Sequence, residues 1–270
     1  MLILAVCLVA APRAQVGQTA PPVRRSYDEI LDLNVRDGFV YYRALRSDRA
    51  KLDGFIATLA AADIDKAPRN EQIAFWLNAY NALVLRTVID HYPIAQRTSA
   101  YPPHSIRQIP GAFERVPHRV AGRTVTLDQI EQDVLGTFHD PRVYFALGRG
   151  SVGGGRLRSE AYAAAQLEAQ LKEIADECVS RPECVRIDRE ANMLNASAIF
   201  SWRKKDFTAT YADGAPAAFA NRSPIERSIL AFIEPKLLTT ERDALAKNDF
   251  KVVYAPFDWS LNDLTGRGGR

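Results

Sequence analysis

Residues 70–91 read NEQIAFWLNAYNALVLRTVIDH, and this stretch decides the fold. Within residues 73–85 the only strongly polar side chains are those of Asn78 and Asn81. A helix that is apolar on nearly every side has to be covered all round, so it lies at the centre of a domain. Pro93 ends the helix, because proline cannot continue the hydrogen-bond ladder. We therefore predict a central, buried helix at about 70–91.

The sequence on either side of this helix predicts an α+β domain. The segment RVPHRVAGRTVTL (115–127) alternates in polarity around Ala121-Gly122, which predicts a β-hairpin, and Thr126 can cap the segment that follows. Further extended segments are predicted at 37–45, 142–147, near 185–187 and 192–194, and from 251 to the end of KVVYAPFDW. Further helices are predicted from residue 27, at 47–62 with Ser47 as N-cap, and at 159–178, 196–205 and 223–235. This order predicts a helix-rich single domain around a small, largely antiparallel sheet.

Length and composition limit the class of protein. With 270 residues, of which 47% are hydrophobic, the chain can bury a sizeable core in one domain. We place this domain at 26–262 and expect a disordered tail at 263–270. Lys and Arg number 35 against 32 Asp and Glu, and the net charge of +3 is spread along the chain. Because no basic block is present, the sequence predicts neither nucleic-acid binding nor binding to an anionic membrane.

Residues 1–25 are expected to be a signal peptide and a flexible N-terminus. Residues 2–11 form an uncharged apolar run of signal-peptide length, too short to span a bilayer comfortably. Val9 and Ala11 suit the last positions before a cleavage site. A disordered cytosolic tail is the alternative, but an apolar run with nothing to pack against favours a periplasmic or secreted protein. A lipid anchor on Cys7, and with it a stable membrane anchor, is not expected because the residue before it is not small.

Two cysteines of the mature chain lie close together. Cys178 and Cys184 bracket the turn-like segment CVSRPEC. In an oxidising compartment a disulfide can close so small a loop, and loop entropy makes it worth roughly 2 kcal/mol. A pair of buried, reduced thiols is the alternative. Export favours the disulfide.

Residues 140–157, DPRVYFALGRGSVGGGRL, combine a short apolar segment with a glycine-rich loop. GRGSVG (148–153) matches the Gly-x-Gly-x-x-Gly pattern of dinucleotide sites. The next predicted helix begins several residues too late, and no second parallel strand with a ribose-binding acid follows. The Gly-Lys-Ser/Thr of a Walker loop is also missing. No nucleotide, and no other cofactor, is expected.

Ser151 in this loop is a weak candidate for a nucleophile, with Glu131 as a weak candidate partner. A nucleophile elbow needs Gly-x-Ser-x-Gly, and its first position is occupied by Arg149. A serine also needs a base, and His139 precedes the apolar segment, so it is predicted at the opposite end. A small residue that permits a tight loop is the better interpretation. The histidines show no ligand spacing, so no metal site is predicted.

Five motifs together resemble one protein family. They are FWLNAYNALVLRTVIDHYP (75–93), LDQIEQDVL (127–135), the glycine-loop segment (140–157), AIFSWRKKDF (198–207) and YAPFDWSLN (254–262). In this order they resemble the domain of unknown function 547 (DUF547) family over roughly 26–262. Members usually carry a Cys just after the apolar segment, a His within it and another His after the Ile-Glu pair. The resemblance places Arg149, Tyr144 and Gln132 at those positions.

The resemblance implies a shape more than an activity, because the family has no settled one. The Cys and the two His would suit a thiol nucleophile with a general base. All three are replaced here while the scaffold motifs stay readable, which predicts a pseudoenzyme: a non-catalytic binding or interaction module with a degenerate site. A hydrolase or transferase that uses Ser151 or other non-cysteine residues is the alternative. A purely structural envelope protein is the third possibility.

The predicted binding site lies between the glycine loop, the 70–91 helix and Glu131. Buried amides need partners, so Asn78 and Asn81 either clamp the backbone of the 148–155 loop or complete a structural network. Arg149 is expected to pair with Glu131 or with a bound anion. The candidate binding residues are Asn78, Asn81, Glu131, Gln132, Tyr144, Arg149, Gly150, Ser151 and Gly153. A small anion, a peptide or an envelope protein would be the partner.

Overall fold

The computed structural model describes residues 26–267, so the signal-peptide prediction for 1–25 lies outside the described residues. The α-helices are α1 (Ser26–Asn34), α2 (Tyr42–Ser47), α3 (Ala50–Ala60), α4 (Arg69–His91), α5 (Leu127–Gln129), α6 (Leu167–Ser180), α7 (Ala198–Trp202), α8 (Lys204–Tyr211), α9 (Pro224–Ile233) and α10 (Thr239–Ala246). The strands are β1 (Val35–Arg36), β2 (Phe39–Val40), β3 (His118–Val120), β4 (Arg123–Val125), β5 (Val185–Asp188), β6 (Met193–Ser197) and β7 (Lys251–Ala255). The prediction of a helix-rich α+β fold is confirmed.

Helix α4 is the centre of the fold. Its 23 residues include 14 that are buried, among them Trp76, Tyr80 and Asn81. Helices α2 and α3 and the segment after β4 pack against it. The sequence prediction of a central, buried helix is therefore confirmed, one residue longer at its start than predicted.

The strands form three small sheets. Strands β1 and β2 pair antiparallel, and so do β3 and β4, which turn at Ala121-Gly122 as predicted. In the third sheet β5 pairs antiparallel with β6, whereas β6 pairs parallel with β7. Parallel neighbours need a crossover connection, which helices α7 to α10 supply. Of the four strand pairings in the described residues, three are therefore antiparallel and one is parallel.

The predicted strand at 142–147 is wrong. Pro141–Phe145 forms a 3₁₀ helix, with proline at its first position. The Asp140 side chain accepts a hydrogen bond from the Arg142 backbone N–H at 3.2 Å and so caps this helix. A short apolar run is compatible with a strand or with a buried helical turn, and here the cap and the proline decide for the turn.

Two predicted element boundaries are also corrected. Ser47 is the last residue of α2 rather than the N-cap of the next helix, whose N-cap is Arg49. Helix α6 begins at Leu167 and not near 159. The stretch before α6 is not helical, because its backbone is hydrogen-bonded by a side chain instead. The Gln170 amide bonds the backbone of residues 161 and 163. Local composition does not reveal such long-range hydrogen bonds.

Hydrogen bonds to the body of the protein continue past residue 262. The Leu264 backbone N–H donates to the Val40 oxygen at 2.9 Å, and Tyr92 donates its hydroxyl to Asp263 at 2.7 Å. Residues 263 and 264 therefore belong to the packed domain.

The paired cysteines lie at the end of α6. The sulfur atoms of Cys178 and Cys184 are at disulfide distance, with their Cα atoms 5.2 Å apart. Such a Cα separation is ordinary for a disulfide. Among residues 26–267, no helix has the length and apolar character that crossing a membrane requires.

Candidate functional site

Helix α4 holds the glycine loop (residues 148–155) through one asparagine. Asn81 donates its side-chain amide to the Ala146 oxygen at 3.0 Å and accepts from the Gly148 backbone N–H at 2.9 Å. The loop also packs closely on the helix at Gly150, where φ is +61° and an added Cβ would lie 3.2 Å from Val84. The proposed clamp of the loop by Asn81 is therefore present.

Asn78 bonds a different segment. It donates to the Tyr162 backbone oxygen at 2.9 Å and accepts from the Tyr162 N–H at 2.8 Å. Its amide thus fixes the irregular stretch before α6 rather than the glycine loop. The two asparagines, three residues apart on one helix, each hold one segment of the chain against α4.

The backbone N–H groups of the glycine loop are largely used inside the protein. Val152 and Gly153 donate to Ser260 and Asp258 at 2.9 and 2.8 Å. Gly155 donates to the Leu147 oxygen at 3.0 Å, and Gly154 donates to the Ser151 oxygen at 3.3 Å. An anion-binding nest needs several free N–H groups that converge. These four N–H groups already donate hydrogen bonds within the protein. Few N–H groups of the loop therefore remain to attract an anion, which is the role that the sequence had predicted for them.

Glu131 is the centre of a buried ion cluster. One of its oxygens, Oε1, accepts from Arg149 at 2.6 Å and from Arg203 at 2.5 Å. Its other oxygen, Oε2, accepts from the Tyr80 hydroxyl at 3.3 Å. The side chains of Glu131 and Arg149 are only 6% and 3% exposed, whereas that of Arg203 is 17% exposed. The predicted pairing of Glu131 with Arg149 is thus present, with a second arginine that was not foreseen.

The Arg149 guanidinium has no free edge for a ligand in its buried position. Besides Glu131 it bonds the Tyr144 backbone oxygen at 2.9 Å and approaches the Leu147 oxygen at 3.4 Å. Its backbone φ is +47°, in the left-handed region, so the loop turns sharply at this residue.

Electrostatics keep the cluster ionised. Burial alone would raise the pKa of Glu131, but Arg149 and Arg203 outweigh burial and lower this pKa below its ordinary value. Burial would likewise lower the pKa of Arg149, and Glu131 raises it instead. Burial and the Glu131 charge raise the pKa of Tyr80 well above its ordinary value. The lowered pKa makes the Glu131 carboxylate a weak proton acceptor.

Tyr144 lies next to this cluster but on its outer side. Its hydroxyl donates to Asp206 at 2.7 Å, and the Arg203 guanidinium lies 4.7 Å from the centre of its ring. Burial and Asp206 raise the pKa of Tyr144, so the phenol stays protonated. Gln132, although adjacent to Glu131 in sequence, is exposed. Of these three positions, Arg149 and Tyr144 are therefore buried, whereas Gln132 is exposed.

Ser151 is buried, and its hydroxyl has no hydrogen-bond partner among the described residues. None of the four histidines reaches it. His91 and His104 bond the backbone oxygens of Thr87 and Ile94. The remaining two, His118 and His139, make no hydrogen bond to it either, since its hydroxyl is unpaired. The structure thus offers this serine no base within hydrogen-bond range.

A cleft opens beside the glycine loop. It has a volume of about 240 Å³, and its walls include Ser151, Gly154, Arg156 and Arg181. The wall opposite the loop is made by residues 37–39. The Ser151 hydroxyl oxygen lies beside Gly154, only 3.2 Å from where a Cβ on that glycine would stand.

The two arginines of this cleft differ in how fully they are paired. Arg156 forms ion pairs with Asp37 and, at 2.6 Å, with Glu177. Arg181 has a loose ion pair with Glu183 at 3.8 Å and a long hydrogen bond to the Val152 oxygen at 3.4 Å. Its side chain is 23% exposed. Arg181 therefore keeps most of its hydrogen-bonding capacity for a ligand.

Several residues of the site were missed from the sequence. Tyr80 and Arg203 complete the Glu131 cluster, and Arg181 lines the cleft. Trp202 is 47% exposed. The motif AIFSWRKKDF contains Trp202 and Arg203 side by side, and this was the available signal. In residues 26–267, no group of three or more His, Cys, Asp or Glu is arranged to hold a metal ion.

Comparison with known proteins gives one match. A family model described as "Protein of unknown function, DUF547" matches residues 64–179. This span contains α4, Glu131 and the whole glycine loop, whereas the motifs at 198–207 and 254–262 lie outside it. Neither the curated proteins nor the solved structures contain a match to the chain. The match confirms the resemblance to the DUF547 family over residues 64–179, which make up less than half of the chain.

Proposed function

We propose that the protein is a non-catalytic binding module that holds a small carboxylate ligand in the cleft beside the glycine loop. Two features support the loss of thiol chemistry. Arg149 stands where the family usually has a cysteine, and its side chain is committed to Glu131. The cysteines of the described chain, Cys178 and Cys184, are at disulfide distance from each other, so neither offers a free thiol.

The ligand chemistry follows from the groups that the cleft leaves unsatisfied. A buried hydroxyl without a partner costs free energy, on the order of 1–3 kcal/mol, so Ser151 is expected to bond something that enters the cleft. Arg181 offers a guanidinium whose acidic neighbour is 3.8 Å away. A carboxylate can accept from both groups at once. The unpaired, buried hydroxyl of Ser151, a residue that lines this cleft, is the observation that carries the proposal.

The acidic groups of the cleft limit the choice further. Asp37 and Glu183 also lie on its walls, and so a ligand with several negative charges would be repelled. A single carboxylate that is followed by an amide or a hydroxyl matches this distribution. The C-terminus of a short peptide is such a ligand. Nucleic acid, with one negative charge for every phosphate, is a poor match.

Export belongs to the same proposal. The apolar run at residues 2–11 supports it, and so does the cysteine pair at disulfide distance, because disulfides persist mainly in oxidising compartments. Cell fractionation with residues 1–25 present is expected to recover the protein outside the cytoplasm with a shortened N-terminus. A full-length cytosolic product would contradict export without touching the cleft.

Binding of N-acetyl-dialanine, measured by calorimetry or by NMR titration, tests the cleft. The free acid is expected to bind more tightly than the matched C-terminal amide. Arg181→Gln is expected to lower the affinity for the free acid by about tenfold, or 1.4 kcal/mol, and to remove the preference for the acid over the amide. Ser151→Ala is expected to weaken it several-fold. Arg119→Gln removes an exposed arginine of β3 and is the matched control.

The same variants separate this proposal from a serine hydrolase. If the protein released p-nitrophenol from p-nitrophenyl acetate and Ser151→Ala abolished this activity, the binding module would be the wrong interpretation. If acid and amide bound equally, or if Arg181→Gln left the affinity unchanged, the carboxylate would not be the recognised group.

A further inference from the structure

Three aromatic side chains form a patch on the surface, which we call the tryptophan patch (Trp202, Phe257 and Trp259). The ring of Trp202 lies 4.8 Å from that of Phe257 and 6.1 Å from that of Trp259. Phe257 and Trp259 lie 4.4 Å apart. Trp202 is 47% exposed, which is unusual for so large an apolar side chain. The patch therefore presents Trp202 to solvent, with Phe257 and Trp259 partly buried beside it.

A guanidinium is built into the edge of this patch. Arg107 stacks between two rings, 4.4 Å from the centre of Phe113 and 4.5 Å from that of Trp259. It also pairs with Glu114. Stacking on aromatic rings fixes the orientation of an arginine, so its outer N–H groups stand in a defined place beside the tryptophan.

A carboxylate lies at the same edge. Asp128 is joined to this region by a backbone hydrogen bond of 3.0 Å to Phe113, and it interacts electrostatically with both Arg107 and Arg203. Among residues 26–267 its side chain makes no hydrogen bond and no ion pair within 4 Å. Burial, Glu114 and Glu131 raise its pKa. Asp128 is thus a partly buried acceptor that is left without a partner.

We propose that the tryptophan patch, together with Asp128 and Arg107, binds a neutral oligosaccharide. The C–H face of a pyranose ring packs on an aromatic ring, while its hydroxyls at the rim donate to a carboxylate and accept from a guanidinium. The patch supplies all three kinds of group side by side. This site is separate from the carboxylate cleft and does not rest on it.

The charges around the patch disfavour other ligands of similar size. Asp128 and Glu114 would repel a phosphate or a polyanionic sugar, whereas Arg107 and Arg203 would repel a cation. A polar molecule without net charge meets neither penalty.

Titration with cellohexaose, chitohexaose and maltohexaose tests the proposal, with tryptophan fluorescence and calorimetry as readouts. At least one of these hexasaccharides is expected to bind with a dissociation constant below about 1 mM. Trp202→Ala is expected to weaken binding by about tenfold or more, whereas Trp202→Phe keeps part of the affinity. Asp128→Asn tests the polar rim and is expected to weaken binding as well.

The matched control is Tyr41→Ala, which removes an exposed aromatic side chain outside the patch and is expected to leave the affinity unchanged. Far-UV circular dichroism of each variant shows whether it folds. The proposal is overturned if none of the three sugars binds the folded wild-type protein at about 1 mM. It is also overturned if Trp202→Ala binds as well as wild type, or if the patch mediates a dimer that Trp202→Ala dissociates.

Discussion

Removing the charge of Glu131 is expected to destabilise the protein more than removing either of its arginine partners. In Glu131→Gln, the Arg149 guanidinium keeps its charge at 2% residue exposure, with two backbone oxygens as its remaining partners. Breaking a buried ion pair in this way costs about 3–5 kcal/mol. Arg149→Met leaves Glu131 bonded to Arg203 and Tyr80, so we expect a smaller loss of about 2 kcal/mol.

Arg203 provides the internal comparison. Its side chain is 17% exposed, and water can solvate part of the charge that its removal leaves on Glu131. Arg203→Met is therefore expected to cost only about 1 kcal/mol. In the double variant Glu131→Gln/Arg149→Met neither buried charge remains, so its loss should be smaller than the sum of the two single losses by about 0.5–3 kcal/mol.

Urea unfolding followed by far-UV circular dichroism gives these free energies, provided that the dependence on urea has the same slope in all variants. The order Glu131→Gln, then Arg149→Met, then Arg203→Met is the result expected. Equal losses for Glu131→Gln and Arg203→Met, or strict additivity in the double variant, would refute the reasoning. They would mean that Arg149 is not confined to the Glu131 cluster in solution.

Acid unfolding checks the same cluster through its titration. The folded pKa of Glu131 is lowered, so its contribution to stability is fully present above the unfolded value of 4.5. This contribution is lost as the pH falls through the lower, folded pKa. Below about pH 4.5 the free energy of unfolding of wild type is therefore expected to fall as Glu131 takes up a proton. Glu131→Gln is expected to lack this part of the decline.

Three further results are expected. Gly155→Ala should lower the free energy of unfolding by at least about 3 kcal/mol, because its Cβ would lie 1.7 Å from a backbone oxygen. Gly54→Ala, in the middle of α3 with nothing within 4 Å of its Cβ, should instead raise it by about 0.5–1 kcal/mol. Similar values for both variants in urea unfolding would contradict this. Mass mapping of non-reduced protein should find Cys178 and Cys184 in one crosslinked peptide, and rapid labelling of both by a thiol reagent without denaturant would exclude the disulfide. Burial, with a nearby guanidinium, lowers the pKa of His118 from 6.5 to about 4, so the unfolded chain takes up a proton before the folded one does. Stability should thus fall by up to about 3 kcal/mol as the pH drops from 6.5 to 4, and His118→Gln should remove that part of the decline if the side chain is buried in solution.

The parts of the fold that were predictable are those in which a local pattern has one meaning. Helix α4 is apolar on all sides over many turns, which excludes both a strand and a surface helix. The hairpin of β3 and β4 has a two-residue turn at Ala121-Gly122, and both residues adopt positive φ, as its favoured turns require. The pairing of Glu131 with Arg149 followed from the cost of burying an unpaired guanidinium.

The predictions that were wrong concern segments whose conformation depends on partners distant in sequence. Residues 141–147 look like a strand by composition, but the cap at Asp140 and the clamp by Asn81 decide their backbone. The carboxylate cleft brings together residues 37–39, 151–156 and 181–183, which share no motif. No short-range signal connects them, so the open side of the glycine loop could not be located from the sequence.

One segment joins the two proposed binding sites. The backbone oxygens of Asp258 and Ser260 accept from Gly153 and Val152 of the glycine loop, while the side chain between them, Trp259, lies in the tryptophan patch. A shift of Trp259 on ligand binding therefore has to be absorbed either by these hydrogen bonds or by the loop itself. The loop is clamped from its other side by Asn81 and packed on α4, so it resists such a shift. This arrangement favours a rigid scaffold with two sites that act independently. It also gives the buried ion pair of Glu131 and Arg149 a role beyond its net contribution to stability, because the pair holds the loop in one position.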